Sequence, residues 1–149
     1  MADSPRQVSA SLLRLRAEDE EDLGVISAIL QDALVGVAEI AYLPGERRFA
    51  FIANRFRREV TGHAFERIRC GVRFDEVAAV SRQGFSLRER DRILVLLSVR
   101  VEGRALRLDF SGGPGIRLEV GRILCHLDDF GEPWPTRFRP RHPVEDEAG

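Results

Sequence analysis

The sequence predicts an α+β fold: a strongly bent antiparallel sheet with a helix in the N-terminal half and a C-terminal helix, an element order that resembles the pleckstrin-homology-like barrel. Segments with strict two-residue alternation fill the middle of the chain, and segments with helical periodicity flank them. Strands and helices do not alternate as they do in a parallel sheet. The alternative architecture is an open antiparallel sheet with both helices on one face.

The first helix is predicted within residues 17–34, after a short strand candidate at Leu13 and Leu15. Acidic residues crowd positions 18–22, where the positive end of a helix dipole favours negative charge. Apolar residues from Leu23 onward then recur on one helical face. The acidic run is therefore interpreted as a helix start.

The strands follow the first helix. The predicted strands cover residues 35–43, 48–56, 67–74, 77–82, 93–99 and 106–110. A turn at residues 44–47 joins the first two into a hairpin. Cys70 falls on the apolar side of its strand, so we expect a buried small hydrophobe. Residues 93–99 are apolar on both faces, which predicts a central strand with something packed on each side.

The C-terminal helix is predicted over residues 116–129. Its apolar face comprises Ile116, Val120, Ile123, Leu124 and Leu127. Gly131 is expected to end it, and the prolines at 133 and 135 prevent its continuation. Leu118 and Cys125 share the opposite face, which indicates a second covering surface such as another subunit. Trp134, the single tryptophan, is expected to pack on its own domain or on a partner.

The basic residues suggest a second type of function. All 23 are arginines, and residues 44–126 hold 17 of them against ten acids, a net charge of +7. The candidate anion-binding residues are Arg55, Arg57, Arg58, Arg67, Arg69 and Arg73. A solvated sheet face is the simpler interpretation, and the pI near 6.3 argues against a dedicated nucleic-acid binder.

A third hypothesis concerns the stretch Cys125–Asp129, which groups a thiol, an imidazole and two carboxylates. A small enzyme or metal site would use Cys125, His126, Asp128 or Asp129. On a helix these side chains diverge, whereas metal ligands must converge. We therefore expect no metal, no cofactor and no catalytic residue.

Four segments together resemble one protein family. They are EDLGVISAILQDA (21–33), RFDEVAAVSRQGF (73–85), ILVLLSVR (93–100) and LDFSGGPGIRLEVGRILCHLDDFGEPWPTRF (108–138). The family is a bacterial, mainly alphaproteobacterial, group of small single-domain proteins of unknown function. The resemblance spans about residues 13–141. It implies a cytoplasmic domain standing alone, with no assigned activity or ligand.

These observations predict one domain over residues 11–141, between a disordered N-terminus (1–10) and a disordered acidic tail (142–149). Two cysteines indicate a reduced, cytoplasmic setting, and no apolar run is long enough to span a membrane. The predicted function is a non-enzymatic binding or assembly module, most simply a homodimer, with an unknown protein partner as the alternative. Its predicted contact residues are Leu118, Cys125, Phe130 and Trp134.

Overall fold

The protein is built almost entirely from antiparallel β-strands. The structure, a computed structural model, describes residues 12–57 and 66–135, and the side chains of these ranges up to residue 130. Within them lie one α-helix, α1 (Glu20–Ile29), and a short 3-10 turn (Pro44–Glu46). The strands are β1 (Arg14–Ala17), β2 (Leu34–Leu43), β3 (Arg48–Phe56), β4 (Glu66–Phe74), β5 (Val77–Gln83), β6 (Ile93–Glu102), β7 (Ala105–Phe110), β8 (Gly115–Val120) and β9 (Cys125–Pro135).

The nine strands form one sheet in two parts, in the order β1-β9-β4-β3-β2-β6-β7-β8-β5. The first three residues of β6 pair with β2, and from Leu96 onward β6 pairs with β7, with a bulge between Leu96 and Ser98. Such a bulge lets one strand pass from one part of a bent sheet to the other. The inward side chains of both parts and of α1 share one core. Among the described residues the edge strands β1 and β5 do not pair, so the prediction of a closed pleckstrin-homology-like barrel is wrong.

The helix α1 begins where the acidic run predicts. The Asp19 carboxylate accepts a hydrogen bond of 2.8 Å from the backbone N–H of Asp22, which caps the first turn. Leu23 and Ile26 are buried in the core, and α1 packs on β6 and β1. The Ser27 hydroxyl accepts a 2.9 Å hydrogen bond from the backbone N–H of Val99, just past the bulge of β6. The helix therefore closes one side of the core at the bend of the sheet.

The prediction of a C-terminal helix over residues 116–129 is wrong. The predicted α+β class is therefore wrong as well, because the described residues form mostly β-sheet. These residues form β8, a turn at residues 121–124, and the start of β9. Ile116 and Leu118 are buried on β8, and Cys125 and Leu127 on β9, so each strand alternates with period two. The four-residue turn puts the inward positions of β8 and β9 out of step with each other. The combined spacing of the apolar residues in the two strands therefore resembles the spacing in a helix. Leu118 and Cys125 have no exposed area at all.

The strand β9 is interior, between β1 and β4. Leu127 pairs with Leu15 on one side and Val72 on the other. Inward residues alternate with outward ones along β9, and Asp129 is among the inward residues. The predictions of disorder for residues 1–10 and 142–149, and the domain limits at 11 and 141, fall outside the described residues.

Candidate binding surface on the outward face of the sheet

A buried ion pair joins an inward position near the end of β3 to an inward position in the middle of β9. Arg55 Nε donates to Asp129 Oδ1 at 2.9 Å, and Arg55 Nη2 donates to Asp129 Oδ2 at 2.6 Å. Both side chains have 0% relative exposure. The backbone N–H of Leu13 also donates to Asp129 Oδ2 at 2.9 Å, which attaches β1 to the pair. A paired, enclosed arginine of this kind is a structural element rather than a surface for anions.

The other proposed anion-binding arginines do not form one stripe. Arg57 is buried and lies on the same inward side as Arg55, and Arg58 lies outside the described residues. The guanidinium of Arg67 is also buried: its Cζ lies 3.7 Å from the centroid of the Phe56 ring, and its Nη1 donates to the Asn54 carbonyl at 2.7 Å.

Two more arginines of that set are exposed, but each has a carboxylate partner. Arg69 Nη2 lies 3.2 Å from Glu39 Oε2, and Arg73 Nε lies 3.1 Å from Asp75 Oδ2. Burial alone would raise the pKa of Asp75, but hydrogen bonds from Arg48 and Arg73 outweigh that effect and hold the pKa below its usual value. The positive charge of this face is therefore largely compensated within the chain.

The stretch from Cys125 to Asp129 does not converge on a reactive centre. Because β9 is a strand, Cys125 and Asp129 face the core, whereas His126 and Asp128 face outward. Asp129 is bound to Arg55, and Asp128 Oδ1 lies 3.4 Å from Arg14 Nε. Among the described residues, no three His, Cys, Asp or Glu side chains are grouped closely enough to hold a metal ion.

Burial makes both thiols poor nucleophiles. Desolvation is the main effect that raises the pKa of Cys70 to about 12, and the Asp129 carboxylate adds to it. Desolvation and the Asp75 carboxylate likewise raise the pKa of Cys125 to about 12. For His126, burial followed by the charges of Arg73 and Arg16 lowers the pKa below 6.5. The imidazole is therefore neutral at pH 7, and its Nδ1 lies 3.9 Å from Asp75 Oδ2.

The most distinctive surface is an apolar band on the outward face of the first part of the sheet, which we call the outer strip. It comprises Leu34, Ile52, Phe56, Ile93, Val95 and Phe130. One row of directly opposed residues crosses five strands: Val95, Leu34, Asn54, Arg69 and Phe130. Four inter-strand spacings of about 4.8 Å make this row roughly 19 Å wide.

Two glycines shape the outer strip. A methyl group placed on Gly71 would lie 3.4 Å from Phe130 Cε2, and one placed on Gly36 would lie 3.7 Å from Ile93 Cδ1. The two apolar side chains therefore lie against bare backbone. Phe130 is nevertheless 39% exposed and Ile93 38% exposed. Large apolar groups exposed together on one face are typical of an interaction surface.

Most of this surface escaped the sequence analysis. Phe130 was predicted as a contact residue, and it lies on the outer strip. Trp134, the other predicted contact residue of β9, pairs with Arg67 where β9 runs beside β4. Leu34, Ile52 and Ile93 were not singled out. The sequence did contain a signal for Ile93. Residues 93–99 are apolar on both faces of the strand, and one of these two faces has to point away from the core.

The fold and this surface define a class: an antiparallel β protein with an apolar, charge-balanced outward face. The chain belongs to the family described as protein of unknown function DUF2948, whose model matches residues 13–142. No curated protein and no solved structure matches the chain. In the described part of the chain, α1 is too short to cross a membrane, and no other α-helix is present.

Proposed function

We propose that this protein is a non-enzymatic assembly module in which the outer strip packs against the outer strip of a second copy. The observation that carries the proposal is the exposure of Phe130 and Ile93 on one outward face. Phe130 ends the row that crosses five strands, and Ile93 lies on β6 two residues before Val95, at the other end of that row. Two sheet faces of this kind bury their apolar side chains when they pack face to face.

The charges beside the outer strip favour a second copy over a charged partner. Arg69, within the row, is paired with Glu39, and Arg14, beside the outer strip, is paired with Asp128, so both signs of charge are present in and beside this surface. A two-fold axis brings such a surface against itself without net repulsion, because each copy offers both signs. A nucleic acid would have to displace these carboxylates from the arginines before it gained any contact. The buried, unpaired thiols Cys70 and Cys125 are in keeping with a cytoplasmic setting, which we include in the proposal.

Light scattering after size-exclusion chromatography tests the proposal. We expect a dimer at a protein concentration of about 100 μM, since interfaces of standard size have dissociation constants from micromolar to picomolar. If the affinity lies at the weak end of this range, the dimer should dissociate as the protein is diluted to about 1 μM. Phe130→Glu and Ile93→Glu are expected to weaken dimerisation by about 30-fold or more, because each replaces an exposed apolar side chain of the contact by a charge.

The matched control is Val25→Glu, because Val25 is 52% exposed on α1 and lies outside the outer strip. This variant should dimerise as the wild type does. A wild type that stays monomeric at about 100 μM would overturn the proposal. So would equal weakening by Val25→Glu. A monomer that Phe130→Glu destabilises would show instead that other residues of the same chain cover the outer strip.

A further inference from the structure

Four turns meet at the end of the sheet remote from the Arg55–Asp129 pair. The backbone N–H of Val77 donates to the Arg47 carbonyl at 2.9 Å, which joins the β4–β5 turn to the β2–β3 turn. The backbone N–H of Gly121 donates to the Glu76 carbonyl at 2.9 Å, which adds the β8–β9 turn. The β6–β7 turn contributes Arg104. Turns from distant parts of the chain, fixed to one another on a rigid sheet, are a common setting for a binding site.

Two adjoining hollows lie among these turns, with volumes of about 410 and 490 Å³. They share Arg104, Val120 and Gly121, and we call them together the arginine cleft. The charged residues that line the arginine cleft are Arg47, Arg104, Arg117, Arg122 and Glu119. Four cations against one carboxylate give the lining a net positive charge, and a volume of this size suits a small molecule.

The four arginines differ in how far their charge is already compensated. Arg117 lies 3.3 Å from Glu119 and 3.6 Å from Glu102, and Arg122 Nε lies 2.7 Å from Glu76. Arg47 and Arg104 are exposed, and within the described residues their side chains make no hydrogen bond or ion pair. These two guanidinium groups are therefore available to an anion that enters the arginine cleft.

The backbone at Arg47 adds a second, independent observation. Arg47 has φ 53 and ψ 45, the left-handed conformation that side chains with a Cβ rarely adopt and that glycine adopts without strain. Glycine occurs two residues earlier, at Gly45, which is not in this conformation. The strained position thus carries the long cation that lines the arginine cleft, and strain of this kind clusters at functional sites.

We propose that the arginine cleft binds a small organic anion, with its phosphate or carboxylate group held by Arg47 and Arg104. A guanidinium offers paired N–H donors that match two oxygens of either group. The apolar body of the ligand lies on the floor formed by Val101, Val120 and Ile123. This site shares no residue with the outer strip, so it stands independently of the proposed dimer.

Isothermal titration calorimetry with inorganic phosphate, phenyl phosphate and phenylacetate tests the site at constant ionic strength. We expect phenyl phosphate to bind more tightly than inorganic phosphate because only the former covers the apolar floor. Comparison with phenylacetate then shows whether the site prefers a phosphate or a carboxylate group. Arg47→Gly and Arg104→Gln are each expected to weaken phenyl phosphate binding about tenfold or more.

Two controls separate a site from general charge attraction. Arg82→Gln removes an exposed arginine of β5 that does not line the arginine cleft, and it should leave binding unchanged. Arg47→Gly should melt at the same temperature as the wild type or higher, because glycine relieves the left-handed backbone. The proposal is overturned if none of the three probes binds, if Arg47→Gly binds as well as the wild type, or if Arg82→Gln weakens binding equally.

Discussion

The buried pair of Arg55 and Asp129 makes a sharp prediction about stability. Asp129→Asn removes the negative charge but keeps an oxygen that can accept from the backbone N–H of Leu13. It leaves the Arg55 guanidinium enclosed at 0% exposure without the carboxylate that compensates it. Loss of one partner from a buried ion pair costs about 3–5 kcal/mol, since the remaining charge stays desolvated. That is a large part of a typical stability of about 5–15 kcal/mol.

Urea unfolding followed by far-UV circular dichroism measures this loss. With an m-value of about 2 kcal/mol per molar, the midpoint should fall by roughly 1.5–2.5 M. The matched control is Asp128→Asn at the preceding residue, whose carboxylate forms an exposed ion pair with Arg14. A surface pair contributes about 0–1 kcal/mol, so this midpoint should fall by less than about 0.5 M.

A double variant keeps the reasoning testable if Asp129→Asn does not fold. Arg55→Met in the Asp129→Asn background removes the buried guanidinium as well as the carboxylate that binds it. We expect the double variant to be more stable than Asp129→Asn alone by about 2 kcal/mol or more, although it has lost one more native side chain. A loss below about 1 kcal/mol for Asp129→Asn, or a double variant less stable than the single one, would refute the argument.

Two further predictions concern titratable groups. Because burial raises the pKa of both thiols to about 12, Cys70 and Cys125 should not react with Ellman's reagent at pH 8 in the folded protein, and both should react once guanidinium unfolds it; fast labelling of the native protein would contradict this. Asp75 has a usual pKa of 3.8 and a lower one when folded, so the unfolded state takes up its proton first as the pH falls. The free energy of unfolding should therefore decrease below about pH 5, and Asp75→Asn should flatten that decrease in urea titrations between about pH 3 and 7; an unchanged slope would exclude a role for this carboxylate.

The sequence was informative where one strand alternates without interruption. The hairpin of β2 and β3 around the turn at residues 44–47 is confirmed, as are the strand at residues 67–74 and the interior position of β6 in the sheet. The expectation that both faces of residues 93–99 are covered is wrong within the described residues, because Ile93 is 38% and Leu97 43% exposed. In β3 and β4, alternation with period two separates the core face clearly from the outward face. The helix α1 is also confirmed. It was predictable because the acidic run at its start and the apolar face that follows both indicate a helix in the same place.

The sequence misled where the short strand β8 and the start of the long strand β9 follow each other across a four-residue turn. Apolar residues at 116, 120, 123, 124 and 127 fit one helical face, so β8 and the start of β9 read as one helix. The contrary signal was the pair Leu118 and Cys125 on the other helical face. In strands these two residues simply continue the inward alternation, and they need no second surface.

The inward positions of the two residues of the buried ion pair could be read from the alternation of the sequence. Arg55 follows Phe49, Phe51 and Ala53 at intervals of two, so it lies on the inward face of β3. Asp129 follows Cys125 and Leu127 in the same way on β9, once β9 is recognised as a strand. The pairing itself was not predictable, because it depends on which strands become neighbours, and local alternation carries no information about strand order.

The interior position of β9 has a consequence for how the protein is made. While residues 125–135 are still inside the ribosome, β4 has only one neighbour and β1 has none, although β1 is synthesised among the first strands. Arg14 and its partner Asp128 are 114 residues apart, so β1 cannot join the sheet until the residues between them have been synthesised. The emerging chain exposes an open apolar edge during that time, and the sheet is completed only when β9 fills the gap between β1 and β4.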